Sequence, residues 1–224
     1  MVENKNSQDS LNVDNALSQS EAFIIKYKNA IMYTLLAIVI IIAGFFLYRK
    51  YVSVPKEEKA SAALFPGENY FAQDDFESAL NGDKAGYKGF KKIADEYSGT
   101  KAGNLAKGYA GICLAHEGKY QEAINYLQEF KAEDQMVGPA AIGAMGDCYA
   151  GLNQLDKATD KYMEAAKKAD NNSLSPIFLL KAGELYEKLG KNDEAVKAYT
   201  EIKDKYFNSY AAMEIDKYIE RATK

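Results

Sequence analysis

The sequence LKAGELYEKLGKNDEAVKAYTEI, at residues 180–202, decides the fold of this chain. Two earlier stretches align with it: GYAGICLAHEGKYQEAINYLQEF at residues 108–130 and GAMGDCYAGLNQLDKATDKYMEA at residues 143–165. Each stretch carries an alanine near its centre, at Ala123, Ala158 and Ala195. The alanines lie 35 and 37 residues apart, and a period of this length indicates an array of helical repeats.

The three stretches share a spacing of small and large residues. A glycine comes early in each stretch, at Gly111, Gly146 and Gly183. A large residue follows four positions after each central alanine, at Leu127, Tyr162 and Tyr199. Small residues let the backbones of two antiparallel helices approach closely where they cross, and large residues at helical spacing fill the space beside the crossing. The spacing therefore predicts an all-α chain in which helix pairs stack into a solenoid.

This pattern resembles the tetratricopeptide repeat family, whose units are about 34 residues long. The resemblance implies three repeats, at residues 104–137, 139–172 and 176–209. The chain departs from the family at the closing proline of each unit, where the residues are Gln135, Asp170 and Phe207. The extra residues between the units predict looser connections there.

The segments on either side of the repeats continue the helical pattern. Residues 53–103 are predicted to form a degenerate first repeat. Its parts are a first helix near residues 57–73, interrupted at Pro66-Gly67, a loop at 74–85 and a second helix at 86–97. Residues 209–224 are predicted to cap the array as one amphipathic helix, because a terminal repeat needs a polar outer face. Its predicted apolar face consists of Ala212, Ile215, Tyr218 and Ile219.

An apolar run, AIMYTLLAIVIIIAGFFLY, occupies residues 30–48 without a single charge. As a helix it would be about 28 Å long, which matches the hydrocarbon core of a bilayer. A buried core helix would show polar positions at helical spacing, and this run has none. A cleaved signal peptide has a shorter apolar region followed by a small-residue cleavage site, whereas this run ends in Arg49-Lys50. The run predicts a single transmembrane helix within a segment at residues 18–52.

The N-terminal tail, residues 1–17, is rich in Asn, Ser, Gln and Asp and is predicted to be disordered. Ser18 and Glu21 fit a capping box, so the sequence predicts that a helix begins at Ser18 and runs into the membrane.

Composition excludes several classes of function. The net charge is −4 and the basic residues are dispersed among acidic ones, which does not favour binding to nucleic acid. One histidine and two cysteines give no metal-ligand cluster, and the sequence shows no nucleophile–base set and no glycine-rich phosphate loop. We therefore expect no enzyme activity, no cofactor and no small-molecule substrate. Cys113 and Cys148 are expected to be buried free thiols, because neighbouring helices pack too far apart for a disulfide.

The resemblance to tetratricopeptide repeats also implies a concave groove lined by the first helix of each pair. The candidate groove residues are Tyr109, Ile112, His116, Asp147, Lys181, Glu184 and Glu187. Such a groove holds an extended or helical peptide. The alternative is that these residues are ordinary solvated surface. His116 is interpreted as a polar groove residue rather than as a pH-sensitive contact.

The layout of the whole chain resembles the YfgM-type ancillary subunits of the bacterial Sec translocon. The resemblance implies a single-pass protein of the bacterial inner membrane with a cytoplasmic N-terminus and periplasmic repeats. It also implies association with SecYEG, with a PpiD-like chaperone and with exported polypeptides. The Lys and Arg count around the span favours the opposite orientation, although long domains translocate largely regardless of charge. A scaffold for another envelope or membrane complex is the alternative function.

Overall fold

The computed structural model describes residues 6–224, with side chains from residue 23 onward. Every regular element in this range is helical, which confirms the all-α prediction. The chain divides into two compact units, Met1–Pro55 and Lys56–Lys224.

The first unit consists of a long helix, α1 (Asn6–Tyr48), and a π-helical turn at Arg49–Ser53. The uncharged residues 30–48 lie inside α1, and every one of their side chains is exposed. In the part of the chain that the structure describes, one helix is long and apolar enough to cross a membrane, and its apolar window is not buried. This exposure does not fit the alternative of a core helix.

Helix α1 begins well before the predicted start at Ser18. Residues 6–17 of the predicted disordered tail are helical, and residues 1–5 lie outside the described range. Ser18 and Glu21 are both inside α1, so they do not start it. Residues 6–17 contain neither glycine nor proline, and extending a helix costs far less than nucleating one.

In the second unit, three helix pairs form the array, at the positions of the three aligned stretches. The pairs are α5 (Lys101–His116) with α6 (Tyr120–Glu129), α7 (Val137–Gly151) with α8 (Leu155–Ala169), and α9 (Ser175–Lys188) with α10 (Asn192–Lys205). Consecutive helices pack on one another in chain order, as in a solenoid.

Each early glycine lies directly against the large residue of its own pair. A Cβ atom added at Gly183 would lie 2.2 Å from Cε1 of Tyr199, and one added at Gly146 would lie 2.6 Å from Cε1 of Tyr162. At Gly111 the nearest atom is Cγ of Leu127, also at 2.6 Å. No real Cβ fits at these distances, so the small residues are required by the helix crossings.

The region before the array differs from the predicted degenerate repeat. Helix α2 (Val54–Ala72) runs through Pro66 and Gly67 without interruption, and a short helix, α3 (Phe76–Asn81), lies within the predicted loop. The next helix, α4 (Phe90–Glu96), is shorter than predicted.

Local packing and turn chemistry explain these differences. Gly67 is buried beneath Tyr87 and Phe90, and this packing holds α2 together across Pro66. The side chain of Asp83 accepts hydrogen bonds from the backbone N–H groups of Ala85, Gly86 and Tyr87, at 2.8–2.9 Å. These bonds fix a turn where a helix was predicted to start.

The C-terminal cap consists of a 3₁₀ turn at Ala211–Glu214 and helix α11 (Ile215–Thr223), rather than one helix over residues 209–224. Ile215 and Ala222 are buried, whereas the other predicted apolar residues, Ala212, Tyr218 and Ile219, are half-buried. The ring of Tyr218 lies 5.4 Å from that of Tyr199 on α10.

Candidate protein-binding groove

The seven candidate groove residues all lie on the first helix of a pair, but their surroundings differ along the array. Those on α5 are Tyr109, Ile112 and His116; α7 carries Asp147; and α9 carries Lys181, Glu184 and Glu187.

At the middle of the array, the structure brings Asp147 and Lys181 together. Nζ of Lys181 lies 2.6 Å from Oδ1 of Asp147, and the hydroxyl of Tyr162 donates to the same oxygen at 2.6 Å. The ammonium group also lies 5.3 Å from the centre of the Tyr162 ring, which favours a cation there. Burial, followed by the bond to Asp147, raises the pKa of Tyr162.

One pair further along, Glu187 occupies an equivalent arrangement. Arg221 of the cap donates to its carboxylate through Nε at 2.8 Å and Nη2 at 2.7 Å, and the hydroxyl of Tyr199 donates at 2.5 Å. The hydrogen bonds from Arg221 are the main reason that the pKa of Glu187 is lowered. Glu187 therefore serves the cap and is not open to a ligand.

We call each of these arrangements a clasp. A clasp consists of a carboxylate on the first helix of a pair, a tyrosine hydroxyl from the second helix of that pair, and a cation from the element that follows. The two clasps are Asp147–Tyr162–Lys181 and Glu187–Tyr199–Arg221. Charge-assisted bonds of this kind are stronger than neutral ones and fix geometry, so one clasp joins the second pair to the third and the other joins the third pair to the cap.

At the N-terminal end of the array, the candidate residues contact the upstream helices or the core, and His116 is the one that stays exposed. The ring of Tyr109 stacks on Phe90 at 4.8 Å, and its hydroxyl donates to Oε1 of Glu68 at 3.3 Å. His116 stacks on Phe76 of α3, with ring centroids 4.1 Å apart. Ile112 is half-buried against the core. Tyr109 and Ile112 are therefore partly occupied by the chain itself, whereas His116 is stacked on Phe76 but still exposed.

The part of the first-helix surface that stays open lies on α7 and α9. Ala140, Asp147 and Glu184 are exposed there. A cleft of about 760 Å³ lies at its C-terminal end, between α9 and the cap. Its apolar lining includes Ile177, Leu180, Tyr210, Met213 and Tyr218.

Sequence reasoning did not identify several residues that shape this surface. Arg221, Tyr162 and Phe76 contact candidate residues but were not predicted to do so. The sequence did contain a signal for the clasps. Lys181 follows Asp147 by 34 residues and Arg221 follows Glu187 by 34 residues, and this spacing is one repeat length.

No group of His, Cys, Asp or Glu in the described residues is arranged to hold a metal ion. Cys113 and Cys148 are buried free thiols. Burial raises the pKa of Cys113 to about 12 and that of Cys148 to about 11, so neither thiol is activated as a nucleophile.

The clasp at Glu187 makes a testable contribution to stability. We expect Glu187→Gln to lower the free energy of unfolding by about 1–2 kcal/mol at neutral pH, because the substitution removes a charged acceptor from Arg221. The folded-state pKa of Glu187 lies below its ordinary value of 4.5, so the stabilisation is complete above that pH and is lost as pH falls through the folded-state pKa. The measurement is the urea midpoint of both proteins across this pH range.

Glu184→Gln is the matched control, because Glu184 is exposed on the same helix. We expect it to leave the midpoint nearly unchanged. A Glu187→Gln midpoint equal to wild type at neutral pH, or a difference that does not narrow on acidification, would contradict this role.

A comparison with known protein families agrees with the fold, which is an array of stacked helix pairs. Residues 178–209, which run through α9 and α10, match the tetratricopeptide repeat family. The all-helical array is thus of the tetratricopeptide type in this window, and such arrays present concave surfaces for binding other proteins.

One curated relative is the protein FLUORESCENT IN BLUE LIGHT, chloroplastic, of Arabidopsis thaliana. It is 30% identical over 114 residues, which cover 48% of this chain and 34% of the relative. The chain therefore spans about a third of that relative's length.

Proposed function

We propose that this chain is a membrane-anchored protein-binding module that works beside the Sec translocon on newly exported polypeptides. The observation that carries the proposal is an exposed apolar helix preceding a tetratricopeptide-type array. We assign no catalytic activity to the chain, because repeats of this type bind proteins.

The membrane anchor is supported by exposure and length. The side chains of residues 30–48 are all exposed in the structure, and no charge interrupts them. An apolar surface of this size is unfavourable in water, and a bilayer removes it from water over the length that the helix provides. Lys26 and Lys28 precede the run and Arg49 and Lys50 follow it, which suits two polar interfaces.

Protein binding is supported by the open surface on α7 and α9. The clasps that join α7 to α9 and α9 to the cap hold the backbone of this surface in place, so little conformational freedom would be lost when a peptide binds. Exposed Asp147 and Glu184 supply acceptors, and the half-buried cleft residues Leu180 and Tyr218 supply apolar contacts. This combination suits a peptide with apolar side chains and basic or amide groups.

The bacterial inner membrane, a cytoplasmic N-terminus and a periplasmic array belong to the same proposal, as do SecYEG and a PpiD-like chaperone as partners. Their support is the layout of one span followed by a helical repeat array, which resembles the YfgM-type subunits. The Lys and Arg count around the span points to the opposite orientation, so the proposed orientation across the membrane rests on the resemblance alone.

Site-specific photocrosslinking in cells tests the proposal. A crosslinking amino acid at Glu184, on the open surface, is expected to capture channel subunits and exported polypeptides. The same amino acid at Lys197, exposed on α10, is the control and is expected to capture neither. Crosslinks are identified by mass spectrometry from the full-length protein in its membrane.

Two outcomes would contradict the proposal. Capture of one fixed partner without any exported chain would favour the scaffold alternative. Equal capture from Glu184 and Lys197 would show that the open surface is not the binding site.

A further inference from the structure

The exposed apolar side chains of the array are confined to one edge. Among residues 73–224, all of which are described, six large apolar side chains are exposed: Met136, Val137, Ile177, Phe207, Tyr210 and Met213. All six lie in the links between successive helix pairs, or in the 3₁₀ turn or first helical turn that follows a link. The turns within the pairs, on the opposite edge, carry none of them. We call the edge formed by the links the junction edge.

The links lie side by side along this edge. Asn171, in the link before α9, donates through Nδ2 to the carbonyl of Gln135 in the link before α7, at 2.9 Å. Tyr206, in the link after α10, donates to Asp170 at 3.2 Å. Ile177, Tyr210 and Met213 line one shared cleft. The exposed apolar groups therefore form a row rather than isolated points.

The second unit also begins at the junction edge. The carboxylate of Glu57 accepts hydrogen bonds from the backbone N–H groups of Lys101 and Ala102, at 2.8 and 2.9 Å, and these residues form the first turn of α5. Nζ of Lys56 donates to the carbonyl of Ser98 in the link before α5, at 3.1 Å. The chain thus enters the array next to the same links.

The tether to the apolar helix is short. Only residues 49–55 lie between the end of the uncharged run and the second unit. Even fully extended, a tether of this length spans only about 25 Å. If residues 30–48 cross a bilayer, the start of the junction edge is held close to the lipid surface, where the local concentration of lipid is very high.

The side chains on the junction edge suit an interfacial contact. Phenylalanine, tyrosine and methionine place apolar groups among lipid headgroups, and tyrosine keeps its hydroxyl in water. Charges of both signs flank them: Lys131, Glu133 and Asp134 are exposed in the link before α7, and Nζ of exposed Lys168 donates to the carbonyl of Ala132 in the same link, at 2.9 Å. Contact with lipid through this edge would therefore depend on apolar burial rather than on net charge.

We propose that the junction edge rests on the surface of the bilayer that anchors the protein and inserts its apolar side chains at the headgroup level. This inference rests on the proposed membrane anchor. It leaves Asp147, Glu184 and the half-buried cleft residues Leu180 and Tyr218 available for a polypeptide, whereas the exposed cleft residues Ile177, Tyr210 and Met213 meet the lipid.

The absence of tryptophan from the sequence gives a direct test. Tyr210→Trp introduces a single tryptophan at a side chain that is 88% exposed. The full-length variant is reconstituted into phosphatidylcholine vesicles, with or without bromine on the acyl chains. Bromine quenches tryptophan on contact, so we expect the emission of Tyr210→Trp to fall about twofold in brominated vesicles.

Gln121→Trp is the matched control. Gln121 is exposed near the start of α6, on the opposite edge. The 16-residue helix α5 separates the two edges, a distance of about 24 Å. We expect brominated lipid to leave the emission of Gln121→Trp unchanged, and we expect the Tyr210→Trp quenching to persist at high salt.

The outcomes separate this inference from the anchor itself. Failure of the protein to float with the vesicles would overturn both. Flotation without quenching of Tyr210→Trp, or with equal quenching of both variants, would overturn the contact while leaving the anchor intact. A blue-shifted but unquenched Tyr210→Trp emission would contradict the contact with lipid, because it would indicate that the junction edge is buried against a second copy of the chain.

Discussion

Replacing Ile38 and Ile42 together with arginine is expected to release the chain from membranes. Both side chains lie near the middle of the exposed apolar run and one helical turn apart. Each arginine at the centre of a span costs about 3 kcal/mol, so two of them shift the insertion equilibrium by about four orders of magnitude. The measurement is the fraction of protein that stays with membranes during alkaline extraction and flotation.

The control places the same charges outside the predicted span. Ile24→Arg with Ile25→Arg changes two exposed isoleucines that precede residue 30, and we expect this variant to remain in the membrane fraction. Extraction of the wild-type chain under these conditions, or retention of the Ile38→Arg, Ile42→Arg protein, would argue against a span at residues 30–48.

Gly183→Val is expected to lower the free energy of unfolding by about 3 kcal/mol, which corresponds to a fall in Tm of roughly 10 °C. The added Cβ would lie 2.2 Å from Cε1 of Tyr199, and the tyrosine ring is fully buried with its hydroxyl held by Glu187. The ring therefore cannot move aside without breaking the clasp. Thermal and urea unfolding of the full-length protein measure the effect.

Two further variants isolate the close contact as the cause. Glu184→Val introduces the same side chain one position later, where it is exposed, and we expect a loss below about 1 kcal/mol. In a Tyr199→Ala background the ring is absent, so Gly183→Val should cost much less than it does in the wild type. An equal cost in both backgrounds would show that crowding against Tyr199 is not responsible.

The helix pairs could be predicted because their signal is local. The glycine, the central alanine and the large residue of each pair lie within one stretch of 23 residues, and each satisfies a packing requirement inside its own pair. The apolar run is equally local, since a continuous stretch without charge has few alternative interpretations.

The region before the array could not be predicted in the same way. A proline and a glycine normally end a helix, yet Pro66 and Gly67 lie inside α2 because Gly67 packs beneath side chains that are 20 and 23 residues further along the chain. Helix α3 did have a local signal, because the side chain of Asp75 caps it by accepting from Ser78 N at 3.1 Å. The loop prediction overlooked that cap.

The candidate groove was only partly predictable for a related reason. The repeat register correctly placed all seven residues on first helices, but register alone does not reveal which side chains are already engaged. His116 stacks on Phe76, and Glu187 binds Arg221, through contacts that cross from one repeat to another element. These partners become visible only when the elements are stacked.

The order of the groups in each clasp gives the array a direction. Asp147 and Tyr162 are on one pair, but Lys181, which neutralises the carboxylate, lies on the helix that follows this pair. Likewise Glu187 and Tyr199 are on one pair, and Arg221, which neutralises Glu187, lies on α11 of the cap. During synthesis on the ribosome, Asp147 and Glu187 each emerge before the cation that pairs with them. Each of these two clasps can therefore close only after the helix that carries its cation has been made.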